Sequence, residues 1–289
     1  MAASFDVIIA GAGVVGAALA AALGDLDLDV AVVAPALRDA LPPTASASRP
    51  IRPIALSLPS RDVLQSLALV GDQSGTPIRS IHVSQRGRFG RTVLNADDHQ
   101  LPALGIVFDA AALEHDAHRA IAPVLIARHV ISWSGATDRV HVTVQDDEAT
   151  RSIDARLLVL ADGGALAGLD MVHDYQQVAW TGTVRTTRAH ANIAYERFTR
   201  EGPLALLPLG DRYAFVWASA RIDPMPVADD AFCAALESAF GERLGHFDQV
   251  SARSRLPLAL KRARNANMVH VSSPSAMRRR PCIRSQDKD

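Results

Sequence analysis

The chain has 289 residues, 48% of them hydrophobic and 21% charged, a composition typical of a globular protein with one large domain or two modest ones. The net charge of −1 excludes a strongly basic chain, so we expect no nucleic-acid partner. Two cysteines, Cys233 and Cys282, are too few for a disulfide framework, which favours a reducing, cytoplasmic setting.

The N-terminal segment predicts a strand, a glycine turn, a helix and a second strand. Residues 5–10 form a short apolar run, residues 14–23 are rich in alanine, and residues 30–33 are β-branched or alanine. This order opens a doubly wound α/β domain. Residues 7–24 carry no charge, but glycines interrupt the run and no basic residue precedes it, so we expect neither a signal peptide nor a membrane span.

The rest of the chain predicts mixed elements and then a group of strands. Residues 41–53 are rich in Pro, Ser and Ala and predict an extended loop. Helices are predicted at 56–69, 110–122 and 229–240. From residue 178 onward the dense strands predict an antiparallel sheet layered against the nucleotide-binding part. Strands are predicted at 81–84, 91–94, 124–132, 140–144, 151–160, 178–185, 195–198, 204–208 and 212–220.

A glycine motif lies directly after the first strand and opens the first helix. In such a G-x-G-x-x-G motif the first glycine makes the tight turn, the second lets a pyrophosphate approach the backbone, and the third lets the helix pack on the strand. The alternative is a glycine-lined contact without a ligand. Ala34 stands where an acidic residue usually holds the ribose, and Asp39 lies beyond a proline. The candidate residues are Gly11, Ala12, Gly13, Val14, Val15 and Gly16.

A second candidate turn follows the predicted strand that ends at residue 160. Asp162 and Gly163 lie at the carboxyl end of that strand, where an aspartate can accept hydrogen bonds from ribose or ribityl hydroxyls. Taken alone, the sequence is also that of an ordinary turn. The histidines give no metal-ligand pattern, since His115 and His118 lack a third ligand nearby, so no metal site is predicted.

Several segments resemble the ubiquinone-biosynthesis branch of the FAD-dependent aromatic hydroxylases. The likeness extends from residue 5 to about residue 271. Residues 196–208 point within that family to the type that hydroxylates 2-octaprenyl-6-methoxyphenol. The matching segments are 78–90, 101–105, 157–163, 195–208, 229–244 and 256–260.

The resemblance implies one non-covalent FAD, reduced by NADH or NADPH, that activates O2 as a C4a-hydroperoxide to hydroxylate a polyprenylated phenol. It implies that the three glycines of the first motif meet the pyrophosphate, that Arg52 approaches the FAD, and that Asp162 with Gly163 meets its ribityl chain. A surface salt bridge is the alternative for Arg52. The sequence departs from the family after Gly163, because 164–167 lack the usual polar and basic residues. No catalytic acid or base can be named.

The resemblance also implies a domain division and a location. We expect an FAD-binding domain at 1–175 with inserted substrate-region strands at about 78–108, and an antiparallel substrate domain at 176–260. Residues 261–289 form the remaining tail. We expect a cytoplasmic protein that meets its prenylated substrate peripherally at the inner face of the membrane, beside other ubiquinone-biosynthesis proteins.

The tail lacks the second FAD motif of the family, typically GNAAxTLHPIAGQG. Codons that encode residues 275–289 can spell that motif, in order and without gaps, when they are read from the third base. We therefore expect a frameshift near codon 271, with poor FAD retention, aggregation and little hydroxylation as its consequences. A natural basic tail, in which residues 278–280 bind an acidic surface, is the alternative.

Two other functions stay open. One is an inactive remnant that shares the fold but does not bind flavin. The other is a nucleotide-binding module that uses only the first glycine motif. Bound flavin argues against both, whereas nucleotide affinity without flavin favours the module.

Overall fold

The computed structural model describes residues 3–35, 51–71, 74–146, 149–164, 166, 169–222, 225–226, 228–251 and 253–263. Within these residues the chain forms four α-helices and seventeen strands. The helices are α1 (Val14–Leu23), α2 (Leu58–Ser66), α3 (Ala110–Ile121) and α4 (Asp229–Phe240). The strands are β1 (Ser4–Ala10), β2 (Val30–Ala34), β3 (Pro53–Leu56), β4 (Thr76–Ile78), β5 (Ser80–Gln85), β6 (Arg91–Asn95), β7 (Gly105–Asp109), β8 (Leu125–Ala127), β9 (His129–Gly135), β10 (Val140–Gln145), β11 (Thr150–Leu160), β12 (Leu169–Thr186), β13 (Ile193–Phe198), β14 (Pro203–Leu209), β15 (Arg212–Ala220), β16 (Phe247–Asp248) and β17 (Ser254–Ala263).

A six-stranded sheet in the order β8-β2-β1-β11-β10-β9 contains the N-terminal strands. Strands β8, β2, β1 and the second half of β11 are parallel, while β9, β10 and the first half of β11 form an antiparallel meander. One face packs against α1 and α3 around the fully buried Ile9 and Val32. The apolar residues of β1 are buried on both faces, as expected for a parallel strand between two layers.

Capping residues determine where the helices after this sheet begin. The Ser57 hydroxyl accepts a hydrogen bond from the amide of Ser60 at the start of α2. The Asp109 carboxylate accepts from the amide of Ala111 at the start of α3. His118 and Arg119 in the last turn of α3 suit the negative end of the helix dipole. These local interactions place the N-terminus of α3 at the end of β7.

An eight-stranded sheet forms the second layer. Its order is β16-β12-β15-β14-β13-β5-β6, with β17 also paired to β12. All its neighbouring pairs are antiparallel except β5 with β13. Helix α4 covers one face, where Tyr213, Phe215, Phe232 and Leu236 are fully buried. The strands of the segment 78–108 are divided between this sheet (β5 and β6) and a smaller one (β7).

The smaller sheet, in the order β3-β7-β4, lies against the eight-stranded sheet. Val107 of β7 and Ile78 at the end of β4 pack with Ala194 of β13. These contacts hold β3 and the start of α3 near the face of the eight-stranded sheet that α4 does not cover.

The predicted α/β fold with an antiparallel layer is confirmed, and some element boundaries were wrong. The predicted strand 124–132 is two strands, because the chain changes partner between β8, which pairs with β2, and β9, which pairs with β10. A 3-10 turn (Ala122–Val124) moves the start of β8 to Leu125. The predicted helix 56–69 is shorter, because Leu56 pairs in β3 and Ser57 caps α2. Most of the predicted loop 41–53 lies outside the described residues.

The structure also bears on two other expectations, the absence of a membrane span and the division into domains. The uncharged segment 7–24 contains most of β1, a turn and the ten-residue α1, and no helix of the described part of the chain is long and apolar enough to span a membrane. The predicted domain boundary at residue 175 falls inside β12, so the division into domains remains a prediction. Of the expected tail 261–289, residues 261–263 end β17, and residues 264–289 lie outside the described residues.

Candidate functional site

The turn between β1 and α1 is built by close backbone packing of its glycines. Gly11 has a φ of +120°, a conformation that side chains disfavour. A Cβ atom on Gly16 would lie 2.1 Å from the Gly11 carbonyl oxygen. The first and third glycines of the motif are therefore required by packing in this chain.

The middle of the same motif is open. A Cβ atom on Gly13 would meet nothing within 4 Å, and Val15 is 75% exposed. Gly13 caps α1 without a side chain, and the first turn of α1 carries no acidic residue. The first amides of α1 thus point toward accessible space, as a phosphate-binding helix terminus requires.

The second predicted turn touches the first. A Cβ atom on Gly11 would lie 2.4 Å from the Ala161 carbonyl oxygen and 2.8 Å from the Asp162 nitrogen. The Ala161 amide also donates to the Ala10 carbonyl over 2.8 Å. The structure thus brings the glycine motif and the Asp162 turn together at the carboxyl ends of β1 and β11, where open α/β sheets bind ligands.

Asp162 makes the hydrogen bonds of a local turn. Its Oδ1 accepts from the Gly164 amide at 3.0 Å, and its Oδ2 accepts from the Leu166 amide at 2.6 Å. Gly163, with a φ of +75°, has nothing within 4 Å of an added Cβ atom. The turn therefore presents an open backbone beside Asp162, and a ribityl contact for Asp162 remains a prediction.

Arg52 forms a surface ion pair. Its Nη2 lies 2.6 Å from Oε1 of Glu114 on α3, and the Arg52 side chain is 59% exposed. This contact is the alternative that the sequence left open for Arg52. The Arg52 carbonyl accepts from the Ala110 amide over 2.9 Å, which fixes β3 at the start of α3.

Arg52 also lines a cavity of about 350 Å³ between the start of α3 and the eight-stranded sheet, named here the Arg52 cavity. Thr181 of β12 is 4% exposed, and its hydroxyl has no hydrogen-bond partner among the described residues. A buried hydroxyl without a partner at a cavity wall is suited to a polar group of a ligand. The described lining residues are Arg52, Asp109, Ala110, Ala111, Glu114, Thr181, Ser254 and Leu256.

Sequence reasoning did not identify Thr181 or Ser254 as site residues. Each lies on a strand without a motif, and the pairing of β12 with β17 places them opposite each other at the cavity that Arg52 lines. The glycine turn is not among the described residues that line the Arg52 cavity. The structure thus holds two candidate parts of a site, the glycine turn with the Asp162 turn and the Arg52 cavity at the sheet.

Sequence comparison finds three informative relatives, although no protein-family model matches the chain. The chain is 31% identical over 277 residues to the uncharacterized protein slr1300 of Synechocystis, covering 89% of this chain and 64% of that protein. It is 30% identical over 279 residues to the ubiquinone hydroxylase UbiL of Rhodospirillum rubrum, covering 89% of this chain and 62% of UbiL. It is 25% identical over 282 residues to the rat mitochondrial ubiquinone biosynthesis monooxygenase COQ6, covering 87% of this chain and 58% of COQ6. The chain therefore spans less than two thirds of the length of these relatives.

Structural comparison gives the same fold. The p-nitrophenol 4-monooxygenase PnpA of Pseudomonas putida superposes with a TM-score of 0.65 at 13% identity, covering 91% of this chain and 70% of PnpA. Because the identity is low, this likeness concerns the fold alone.

Proposed function

The chain belongs to the ubiquinone-biosynthesis hydroxylase family, and we propose that it is built as an FAD-dependent monooxygenase for a polyprenylated methoxyphenol. NADH or NADPH and O2 are the co-substrates of this proposal. The observation that carries it is the contact of Gly11 with the Ala161–Asp162 backbone beside the open Gly13. That geometry supports a dinucleotide whose pyrophosphate lies at the start of α1.

The residues of the first site fit FAD. Gly13 and the first amides of α1 would hold the pyrophosphate, and the turn at Asp162 and Gly163 would meet the ribityl chain. When bound, FAD supplies the redox chemistry that activates O2. Ala34 offers no carboxylate to the ribose, and Asp39 lies outside the described residues. We therefore expect adenosine to contribute less to the affinity than it does where an acidic residue is present.

The Arg52 cavity is the proposed place for the reacting ring. Its Thr181 hydroxyl is available to a polar atom of the flavin or of the phenol, and Leu256 gives the cavity an apolar wall. Leu256 and Leu260 are 43% and 47% exposed on β17, an apolar surface suited to a prenyl chain. The chain's own part is to orient the ring and exclude water from it.

Glu114 competes with an anionic cofactor for the guanidinium group of Arg52. Glu114→Gln removes this competitor, so we propose that it tightens FAD binding, while Arg52→Gln weakens it. Both side chains are substantially exposed, so neither change should alter stability by more than about 1 kcal/mol. If Glu114→Gln and Arg52→Gln both bind FAD as tightly as the unmodified chain, Arg52 has no part in FAD binding and forms only the surface ion pair.

The proposed function is tested by titrating the purified chain with FAD and following flavin fluorescence. Titration detects weak binding, which we expect because the second FAD motif is not found in the reading frame of residues 271–289. NADH and NADPH oxidation with a prenylated methoxyphenol and isotope-labelled O2 then tests for transfer of one oxygen atom to the ring. ADP binding without FAD binding would indicate the nucleotide-binding module, and binding of neither would indicate an inactive remnant.

A further inference from the structure

A buried histidine with unused hydrogen-bonding capacity lies outside the proposed FAD site. His82 of β5 is 7% exposed, and neither Nδ1 nor Nε2 has a hydrogen-bond partner among the described residues. Leaving a buried polar group unpaired is energetically unfavourable, because the group has lost its hydrogen bonds to water. Such a group indicates either a strained core or a place that a ligand completes.

His82 borders a cavity rather than solid core. This space, named here the His82 cavity, has a volume of about 200 Å³. A second cavity of about 380 Å³ adjoins it, shares His82, Ser84, Arg197 and Arg243, and adds Arg91. The described residues that line the His82 cavity are His82, Ser84, Tyr195, Arg197, Phe240, Gly241, Glu242 and Arg243.

Within the described residues, Arg197 and Arg243 at this cavity have no ion-pair partner. Arg197 donates from Nη1 to the Ser84 hydroxyl and from Nε to the Ala239 carbonyl, each over 3.2 Å. The lining carboxylate, that of Glu242, is exposed. Burial lowers the pKa of His82, and the nearby Arg243, Arg91 and Arg197 lower it further, while contact of the ring with the backbone of His82 itself partly offsets this. The cavity is therefore positive and has room for an anion.

The His82 cavity and the Arg52 cavity lie on opposite faces of the eight-stranded sheet. Tyr195, whose ring centroid is 5.4 Å from that of His82, packs with Phe240 on the face that α4 covers. Trp180 packs into the same core, so the next residue of β12, Thr181, points to the other face. The two cavities are thus separate sites.

We propose that the His82 cavity binds a phosphate-type oxyanion, a function beyond the proposed hydroxylation. The arginine guanidinium groups supply charge-assisted hydrogen bonds in a forked geometry suited to phosphate. The Ser84 hydroxyl and a His82 ring N–H complete the donor set. A tetrahedral anion would satisfy the buried imidazole and neutralise the uncompensated arginines together.

The test is phosphate binding followed at His82 by NMR on the full chain with isotope-labelled histidine. Inorganic phosphate should shift the His82 resonance saturably. The exposed Arg243 at the rim is the informative position, since Arg243→Gln should weaken binding about tenfold without unfolding the protein. The control is Arg151→Gln, which removes an exposed arginine from β11 and should leave phosphate binding unchanged.

A vesicle arm identifies the source of the oxyanion. Sedimentation with vesicles that contain phosphatidic acid, compared with neutral phosphatidylcholine vesicles, tests a lipid headgroup. Binding to the anionic vesicles that Arg243→Gln reduces would assign the site to a headgroup, whereas a response to inorganic phosphate alone would assign it to a free phosphate. If inorganic phosphate leaves the His82 resonance unchanged and anionic vesicles sediment no more of the chain than neutral vesicles do, the proposal is wrong. It is also wrong if Arg151→Gln weakens binding as much as Arg243→Gln.

Discussion

At the scale of single residues, Gly11 and Gly13 separate the folding role of the glycine motif from its binding role. A methyl group on Gly13 contacts no protein atom and suits the extended φ of −68°. We expect Gly13→Ala to leave the melting temperature unchanged and to weaken FAD binding about tenfold, because the methyl group fills the phosphate approach. Fluorescence titration and thermal melts of the same preparation check both parts.

Gly11→Ala is the matched comparison. Its methyl group would lie 2.4 Å from the Ala161 carbonyl oxygen at a φ of +120°, so the backbone must shift. We expect a loss of about 1–3 kcal/mol in the free energy of unfolding even without a ligand. If Gly13→Ala destabilised the apoprotein as much as Gly11→Ala, the open space at Gly13 would not exist in solution.

Thr181→Val tests the unpaired hydroxyl of the Arg52 cavity. Replacing a buried hydroxyl that has no partner by a methyl group of similar shape should raise the free energy of unfolding by about 1 kcal/mol. If a ligand uses the hydroxyl, the same change should lower ligand affinity, measured by FAD titration or by the KM of the phenol. Thr183→Val is the control, because Thr183 is buried, has no partner for its hydroxyl among the described residues, and is not a described lining residue of the cavity. Equal losses of affinity in both variants would contradict the assignment.

At the scale of elements, Asp6 ties β1 to its neighbours. Its Oδ2 accepts from the Asp29 amide at 3.0 Å before β2, and its Oδ1 accepts from Arg156 of β11 at 2.9 Å. The Asp29 hydrogen bond and then Arg156 lower the pKa of Asp6 below its ordinary value. Because the pKa is lower in the folded state than in the unfolded state, this stabilisation is present above the ordinary aspartate pKa and is lost as the pH falls through the folded pKa.

We therefore expect Asp6→Asn to lower the melting temperature at pH 7 and to have a progressively smaller effect as the pH falls below the ordinary aspartate pKa. Thermal melts across this range check the expectation. Asp25→Asn, an exposed substitution in the loop before β2, serves as the control and should cause a smaller change. A difference between Asp6→Asn and the unmodified protein that is constant from pH 7 to pH 3 would exclude a charge-dependent role.

The elements also show where sequence reasoning works. Helices α1 and α4 and strand β15 have the predicted bounds, because their patterns are continuous and their ends are marked by glycine, by acidic residues or by turns. The β3-β7-β4 sheet was not predicted, because its short strands pair across long stretches of chain. Ser57 is a typical helix N-cap, and an N-cap at this position predicts that α2 begins at Leu58 rather than at residue 56.

At the scale of the whole molecule, the sequence predicts only one part of the candidate site, the glycine motif with the Asp162 turn. The glycine motif and the Asp162 turn each follow a parallel strand, so the fold class alone predicts that they meet at one sheet edge. Thr181 and Ser254 reach the Arg52 cavity through the pairing of β12 with β17, which no local pattern specifies. The eight-stranded sheet separates the Arg52 cavity from the His82 cavity, so each face of that sheet borders one proposed site.

The coding sequence of the tail is expected to complete the flavin site in another reading frame. Residues 275–289 can be encoded by bases that spell the family's second glycine motif, in order and without gaps, when read from the third base. We expect the DNA across codons 265–289 and beyond to encode LHPIAGQG and further helices in another frame. A chain with that motif in frame should bind FAD at least about tenfold more tightly than the 289-residue chain, because a second helix N-terminus then faces the phosphates. If no frame encodes the motif, the frameshift hypothesis is wrong, and residues 278–280 are then to be tested as a basic segment that binds an acidic surface.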